Sequence, residues 1–160
     1  MRLDLTIPLA AVFLLACWDP VHNDAVDALG PEAAGVREGP THRPGQPCTT
    51  CHGGDGPGSP DFLVAGTVYT KRNGTEPSVG TTVTIKDKNG ASRSVTTNSA
   101  GNFYIEKRAW SPVFPLSVVL DGDGVHKEMI TTIGRDGGCA TCHRGTGNQA
   151  RMPAVFLRNQ

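Results

Sequence analysis

Two short stretches constrain this chain more than any other part of it: Cys48-Thr49-Thr50-Cys51-His52 and Cys139-Ala140-Thr141-Cys142-His143. Each has the form C-x-x-C-H, with two thiols three positions apart and an imidazole directly behind the second. They take up four of the five cysteines, so any fold must accommodate both segments. Histidine is rare, with five in 160 residues. Composition alone would place one behind both cysteine pairs on the order of once in a thousand chains.

The spacing has a mechanical reason in covalent c-type haem attachment. The two thiols form thioethers to the two vinyl groups on one haem edge, and the histidine becomes the proximal iron ligand. The expectation is two covalently bound c-type haems. Cys48, Cys51, Cys139 and Cys142 are then the attachment points, and His52 and His143 the proximal ligands. Two other chemistries fit bare C-x-x-C pairs. One is a four-cysteine zinc site closed by both pairs; the other is a local disulfide or dithiol redox pair.

The N-terminus names a compartment independently. Arg2 gives a short basic start, Ile7 to Leu15 an apolar run, and Ala16 a small residue before Cys17. This is the layout of an export signal, and the run is too short for a permanent membrane span. Leu14-Leu15-Ala16-Cys17 resembles the bacterial lipobox. That resemblance implies cleavage after residue 16 and a diacylglyceryl group on Cys17, which accounts for the fifth cysteine. An ordinary cleaved signal with a free thiol at Cys17 is the alternative. Covalent haem attachment takes place where an exported chain emerges, so both signals name the extracytoplasmic side. Trp18, in place of an aspartate that retains some lipoproteins at the inner membrane, leans toward the outer membrane.

Formal net charge is zero and no basic run stands out, which argues against a nucleic-acid partner. Aromatic residues make up 6%, too few for a large aromatic core. The chain divides into a signal (1–16), a lipid-anchored Pro/Gly-rich tether (17–47), a first haem segment (48–60), a β module (61–133), and a second haem segment with a tail (134–160). In the tether, Asp24 to Leu29 suits a short helix capped by Asn23 and stopped by Gly30-Pro31. The glycine run after His52 lacks the lysine and hydroxyl of a phosphate loop, and reads as backbone passing close to a porphyrin.

The β module shows six candidate strands: Phe62–Thr70, Thr81–Asp87, Ser92–Thr97, Asn102–Lys107, Leu116–Asp121 and Val125–Thr132. Turn residues separate most of them, at Asn73-Gly74, Lys88-Asn89-Gly90, Ser99-Ala100-Gly101 and Asp121-Gly122-Asp123-Gly124. Asp121 to Gly124 lacks the rest of a calcium loop and reads as a turn. Asn73-Gly74-Thr75 matches a glycosylation sequon but reads as a hairpin turn. Ala154 to Leu157 suits one more strand or packing on a haem face. The fold expected is mainly β: a small antiparallel transthyretin-like or Ig-like sandwich of about six to seven strands, with irregular haem-binding segments at both ends.

Three blocks carry a family resemblance: Gly66-Thr67-Val68-Tyr69, Val79-Gly80-Thr81-Thr82-Val83-Thr84-Ile85, and Thr96-Thr97-Asn98-Ser99-Ala100-Gly101-Asn102-Phe103-Tyr104-Ile105. They resemble the carboxypeptidase regulatory-like family, over less than half the chain. The resemblance implies a transthyretin-like sandwich and a non-catalytic, accessory role.

Six alternating strands begin and end at the same end of such a module, so an even count brings the two haem segments together. The sixth iron position has five candidates. His42, followed by Pro44 and Pro47, is held stiffly near the first motif or is a solvated tether histidine. Met152, nine residues beyond His143, offers a tight loop closure or simple core packing. His126 and Met129 share a strand but face opposite ways; Met129 reads as core and His126 as exposed, or as a ligand if a haem covers that face. His22 is the poorest candidate.

Three function classes follow. The first is a membrane-anchored dihaem cytochrome in extracytoplasmic electron transfer, a carrier rather than a catalyst, with membrane lipid and redox proteins as partners. The second is a haem enzyme or gas sensor with an open iron. The third is a non-haem surface binding module with a structural four-cysteine zinc site.

Overall fold

The computed structural model describes residues 19–143 and 152–158. The signal, Cys17, and residues 144–151 of the second segment lie outside the described residues. Helix α1 spans Pro20–Asp27 and α2 spans Cys48–His52. Strands β1 (Phe62–Thr67), β2 (Tyr69–Lys71), β3 (Thr82–Lys86), β4 (Ser92–Thr96), β5 (Asn102–Glu106), β6 (Ser117–Gly122) and β7 (Val125–Glu128) follow. The last elements are β8 (Gly137–Gly138), α3 (Cys139–Cys142) and β9 (Phe156–Arg158).

The fold is mainly β, with few and short helices. One sheet has four antiparallel strands in the order β4-β3-β6-β7. A second has the order β5-β1-β8, with β8 parallel to β1, and a third pairs β2 with β9. Period-two alternation decides what these strands bury. Val83 and Ile85 of β3, Val118 and Leu120 of β6, and Phe103 and Ile105 of β5 are all buried. They join Val64, Val68, Leu116 and Leu157 in one apolar cluster that spans the three sheets. Each such side chain contributes roughly 1.5–3 kcal/mol by leaving water.

The turns are closed by the residues that the sequence offers for them. Asp87 Oδ1 accepts from the N–H groups of Asn89 and Ala91, each at 2.9 Å, and caps the β3–β4 hairpin. Asn98 Oδ1 accepts from Ala100 and Asn102 and closes the turn into β5. Asp123 and Gly124 form the two-residue β6–β7 loop with φ of +48° and +72°, the conformation a primed hairpin turn requires.

Four boundaries differ from the sequence reading. Helix α1 begins at Pro20, not Asp24, because Asp19 accepts from His22 N–H at 3.0 Å and Pro20 occupies the first turn. The first expected strand is two strands in different sheets. At Val68 the chain leaves the β5 ladder, bonding Gly101 and Ser78 before β2 takes up β9. The last expected strand ends at Glu128, although pairing resumes where Ile133 bridges Leu116. Strand β8 was not expected at all, since two glycines carry no strand signal. The tail supplies the additional strand β9.

Ile85 is fully buried at the centre of the cluster. Ile85→Ala is expected to cost roughly 2–5 kcal/mol in chemical denaturation. On β7, exposed His126 has Nδ1 2.6 Å from Asp121 and Nε2 3.4 Å from Glu128. Asp121, then Glu128, hold its pKa above the ordinary histidine value. This pairing therefore stabilises the fold below about pH 6.5 and is lost as pH rises through the raised value. An NMR titration should find His126 titrating high, with Asp121→Asn lowering it more than Glu128→Gln.

Candidate functional site

Helix α2 is a single turn, so Cys48 and Cys51, three positions apart, fall on one side of it. It packs on β1 and reaches β8. His52 ends the turn and is buried. Its Nδ1 lies 2.9 Å from the carbonyl oxygen of Pro60. A carbonyl only accepts, so Nδ1 carries the proton and Nε2 keeps its lone pair. Phe62 stacks on the ring with centroids 4.2 Å apart, and Tyr104 stacks on Phe62 at 4.4 Å. The backbone of Gly58 presses on His52 as well: a Cβ there would sit 2.8 Å from Cε1 and Nδ1. The glycine run after His52 thus brings backbone against the imidazole itself.

The second segment repeats this design. Helix α3 is again one turn, and His143 caps it through its N–H to Cys139. His143 Nδ1 lies 2.8 Å from the carbonyl oxygen of Pro153. Each motif histidine thus leans on a proline carbonyl a short way downstream, which fixes its tautomer and ring orientation. Sequence reasoning missed this role for Pro60 and Pro153. The available signal was a proline eight residues after one histidine and ten after the other.

Strand β8 sets the two segments side by side through its parallel pairing with β1, not through an even count of alternating strands. Asp136 joins them. It accepts from Gly138 N–H at 2.8 Å and Thr141 Oγ1 at 3.1 Å in the second segment, and from Thr49 Oγ1 at 3.5 Å in the first. Cys139 lies against Gly66 of β1, where an added Cβ would come within 2.8 Å of it. Desolvation raises the Cys139 thiol to about 12, with Cys48 adding to the shift. Desolvation also raises Cys48, while Cys142 is exposed.

A cavity of about 800 Å³ opens beside the first segment, lined by Cys48, Cys51, His52, His42, Phe62 and Tyr104 among others. That volume lies within the usual range for cofactor pockets. His42 faces His52 at a centroid separation of 6.0 Å and an interplanar angle of 69°. The stretch around His42 is not a free spacer. Asn102 Nδ2 donates to the carbonyls of His42 and Pro40 at 2.9 and 3.2 Å, and Asn98 Nδ2 to Pro40 at 2.6 Å. Arg43 ties the same stretch to Gly30 and Gln46.

None of the other expected distal candidates lines this cavity. His126 is exposed between two carboxylates and does not line the cavity. Met152 directly precedes Pro153, whose carbonyl holds His143, and does not line the cavity. Met129 packs against the core. His22 lies on α1, which packs on α2, and its Nε2 is buried without a hydrogen bond. Among the described residues no group of three or more His, Cys, Asp or Glu side chains is arranged to hold a metal ion by itself. No helix among them is long and apolar enough to cross a membrane. No known protein family, curated protein or solved structure matches the chain.

Thiolate fraction and access should rank the cysteines of the unmodified chain. Alkylation at pH 8 followed by peptide mass mapping is expected to modify exposed Cys142 early and Cys139 last.

Proposed function

We propose that this chain is a membrane-anchored, extracytoplasmic dihaem c-type cytochrome that carries single electrons rather than catalysing a reaction. One observation carries the reading: both C-x-x-C-H segments form one helical turn whose histidine gives its Nδ1 proton to a proline carbonyl and keeps Nε2 for a metal. A four-cysteine zinc site would leave both imidazoles without work and would give this repetition no purpose. A disulfide or dithiol pair would do the same.

The residues fit the group. Cys48, Cys51 and His52 border a cavity of suitable volume, and Cys139, Cys142 and His143 repeat the set beside it. A bound haem supplies an iron that changes by one electron. Pro60 and Pro153 orient the imidazoles and make them better donors. Phe62 and Gly58 cover His52 and keep water from it, with Tyr104 stacked behind Phe62. The neighbouring segments support transfer between the two centres. A four-stranded and a three-stranded sheet that share one core with the small third sheet support the finer expectation of a small transthyretin-like sandwich, serving here as the frame. The export signal and a lipid on Cys17 hold the chain at a membrane, the outer one by preference.

The alternative reading is an open iron for catalysis or gas sensing.

Expression with its own signal and a cytochrome c maturation system tests the proposal. A pyridine haemochrome assay should find two covalent haems per chain. Zero haem, with zinc or disulfides in its place, overturns it. Carbon monoxide that leaves the reduced spectrum unchanged supports electron transfer, and rapid binding supports the open-iron reading.

A further inference from the structure

We infer that His42 is the sixth ligand of the iron held at the first motif, opposite His52, and that the strand β5 residue Asn102 is the group that positions it. This rests on the haem reading above. The two rings border one cavity with centroids 6.0 Å apart. Two imidazoles bound on opposite faces of one metal ion, with bonds of about 2 Å, stand roughly 6 Å apart.

The polar groups around His42 are those of a metal ligand. Its Nδ1 is buried and makes no hydrogen bond, although the Glu32 carboxylate lies 3.4 Å away. Arg43 Nε holds that carboxylate at 3.1 Å. A buried imidazole nitrogen facing a restrained carboxylate is the outer half of a carboxylate–histidine–metal arrangement, in which the other nitrogen takes the metal. A solvated linker histidine has no use for such an environment.

The backbone around His42 is fixed with equal care. Asn102 is buried, and its Nδ2 holds the carbonyls of Pro40 and His42. Its Oδ1 accepts from Thr67 Oγ1 at 2.7 Å, and Thr67 Oγ1 accepts from Gly45 N–H at 2.7 Å. Arg43 takes φ of +47°, an uncommon value for a side chain with a Cβ, in the turn that presents His42. Asn102 therefore links the sheet that carries the first motif to the ligand loop. Histidine ligands on both faces give a lower potential than histidine with methionine, and they close the first iron to small ligands.

The test uses the full holoprotein, with haem counted in every variant. His42→Gly is expected to keep two haems per chain and to turn half of the ferric haem from low-spin to high-spin by electron paramagnetic resonance. Added imidazole should restore the low-spin signal, and the reduced variant should bind one more carbon monoxide per chain than the wild type. Asn102→Ala should give a partial high-spin fraction, and Glu32→Gln should raise one potential without changing spin state. If His42→Gly does not accumulate, His42→Met decides, with a methionine–iron charge-transfer band and one raised potential expected. Wild-type spin state and carbon monoxide binding in His42→Gly, or no such band in His42→Met, with two haems present, overturns the assignment. A wild-type chain without haem overturns the reading beneath it and this inference together.

Discussion

The position of strand β1 is the constraint on which the rest of the molecule depends. It pairs with β5 on one side and β8 on the other, and both cysteine-bearing turns pack on it. The β8 side demands close approach. A Cβ on Gly137 would lie 2.1 Å from the Leu63 carbonyl oxygen, and one on Gly138 would lie 2.2 Å from Thr49 Oγ1. Two consecutive glycines let the chain lie flat against β1 and deliver Cys139 directly over Gly66. The cost is a strand with no side chains to pack, which Asp136 offsets by bonding Gly138, Thr141 and Thr49 together.

Around this centre the molecule uses polar side chains as fasteners between segments far apart in sequence. Asn98 and Asn102 close their own turn and also hold the stretch before the first motif. Buried amides of this kind are stabilising only when their donors and acceptors are met, and Asn102 meets both kinds. The segment that composition marks as a spacer is therefore folded back onto the β frame from Pro40 to Gln46. A motif histidine held by a proline carbonyl occurs in both C-x-x-C-H segments, with different local sequences around each proline.

Much of the β frame was legible because strand alternation and turn chemistry are local properties. Val83 with Ile85, Phe103 with Ile105, and the Asp-Gly and Asn-Gly turns all stand where their sequence signals put them. Helix α1 was displaced because Asp19-Pro20, a capping residue followed by a first-turn proline, is a stronger start than Asn23. The split at Val68 was hidden because a buried valine fits either a continued strand or a change of sheet. Strand β8 was hidden because a pair of glycines gains its extended pairing only from the neighbour it meets.

The sequence by itself determined the chemistry: which thiols and imidazoles are grouped, how they are spaced, and which alternating residues face a core. Those features follow from covalent spacing and from periods of a few residues. Only the tertiary structure decided that the two motifs are neighbours, that Pro60 and Pro153 hold their histidines, and that His42 rather than His126 or Met152 faces the first motif across a cavity. Each of these depends on contacts between residues distant in the chain. Such contacts form when burial of a shared core and pairing with β1 outweigh the entropy of closing the intervening loops.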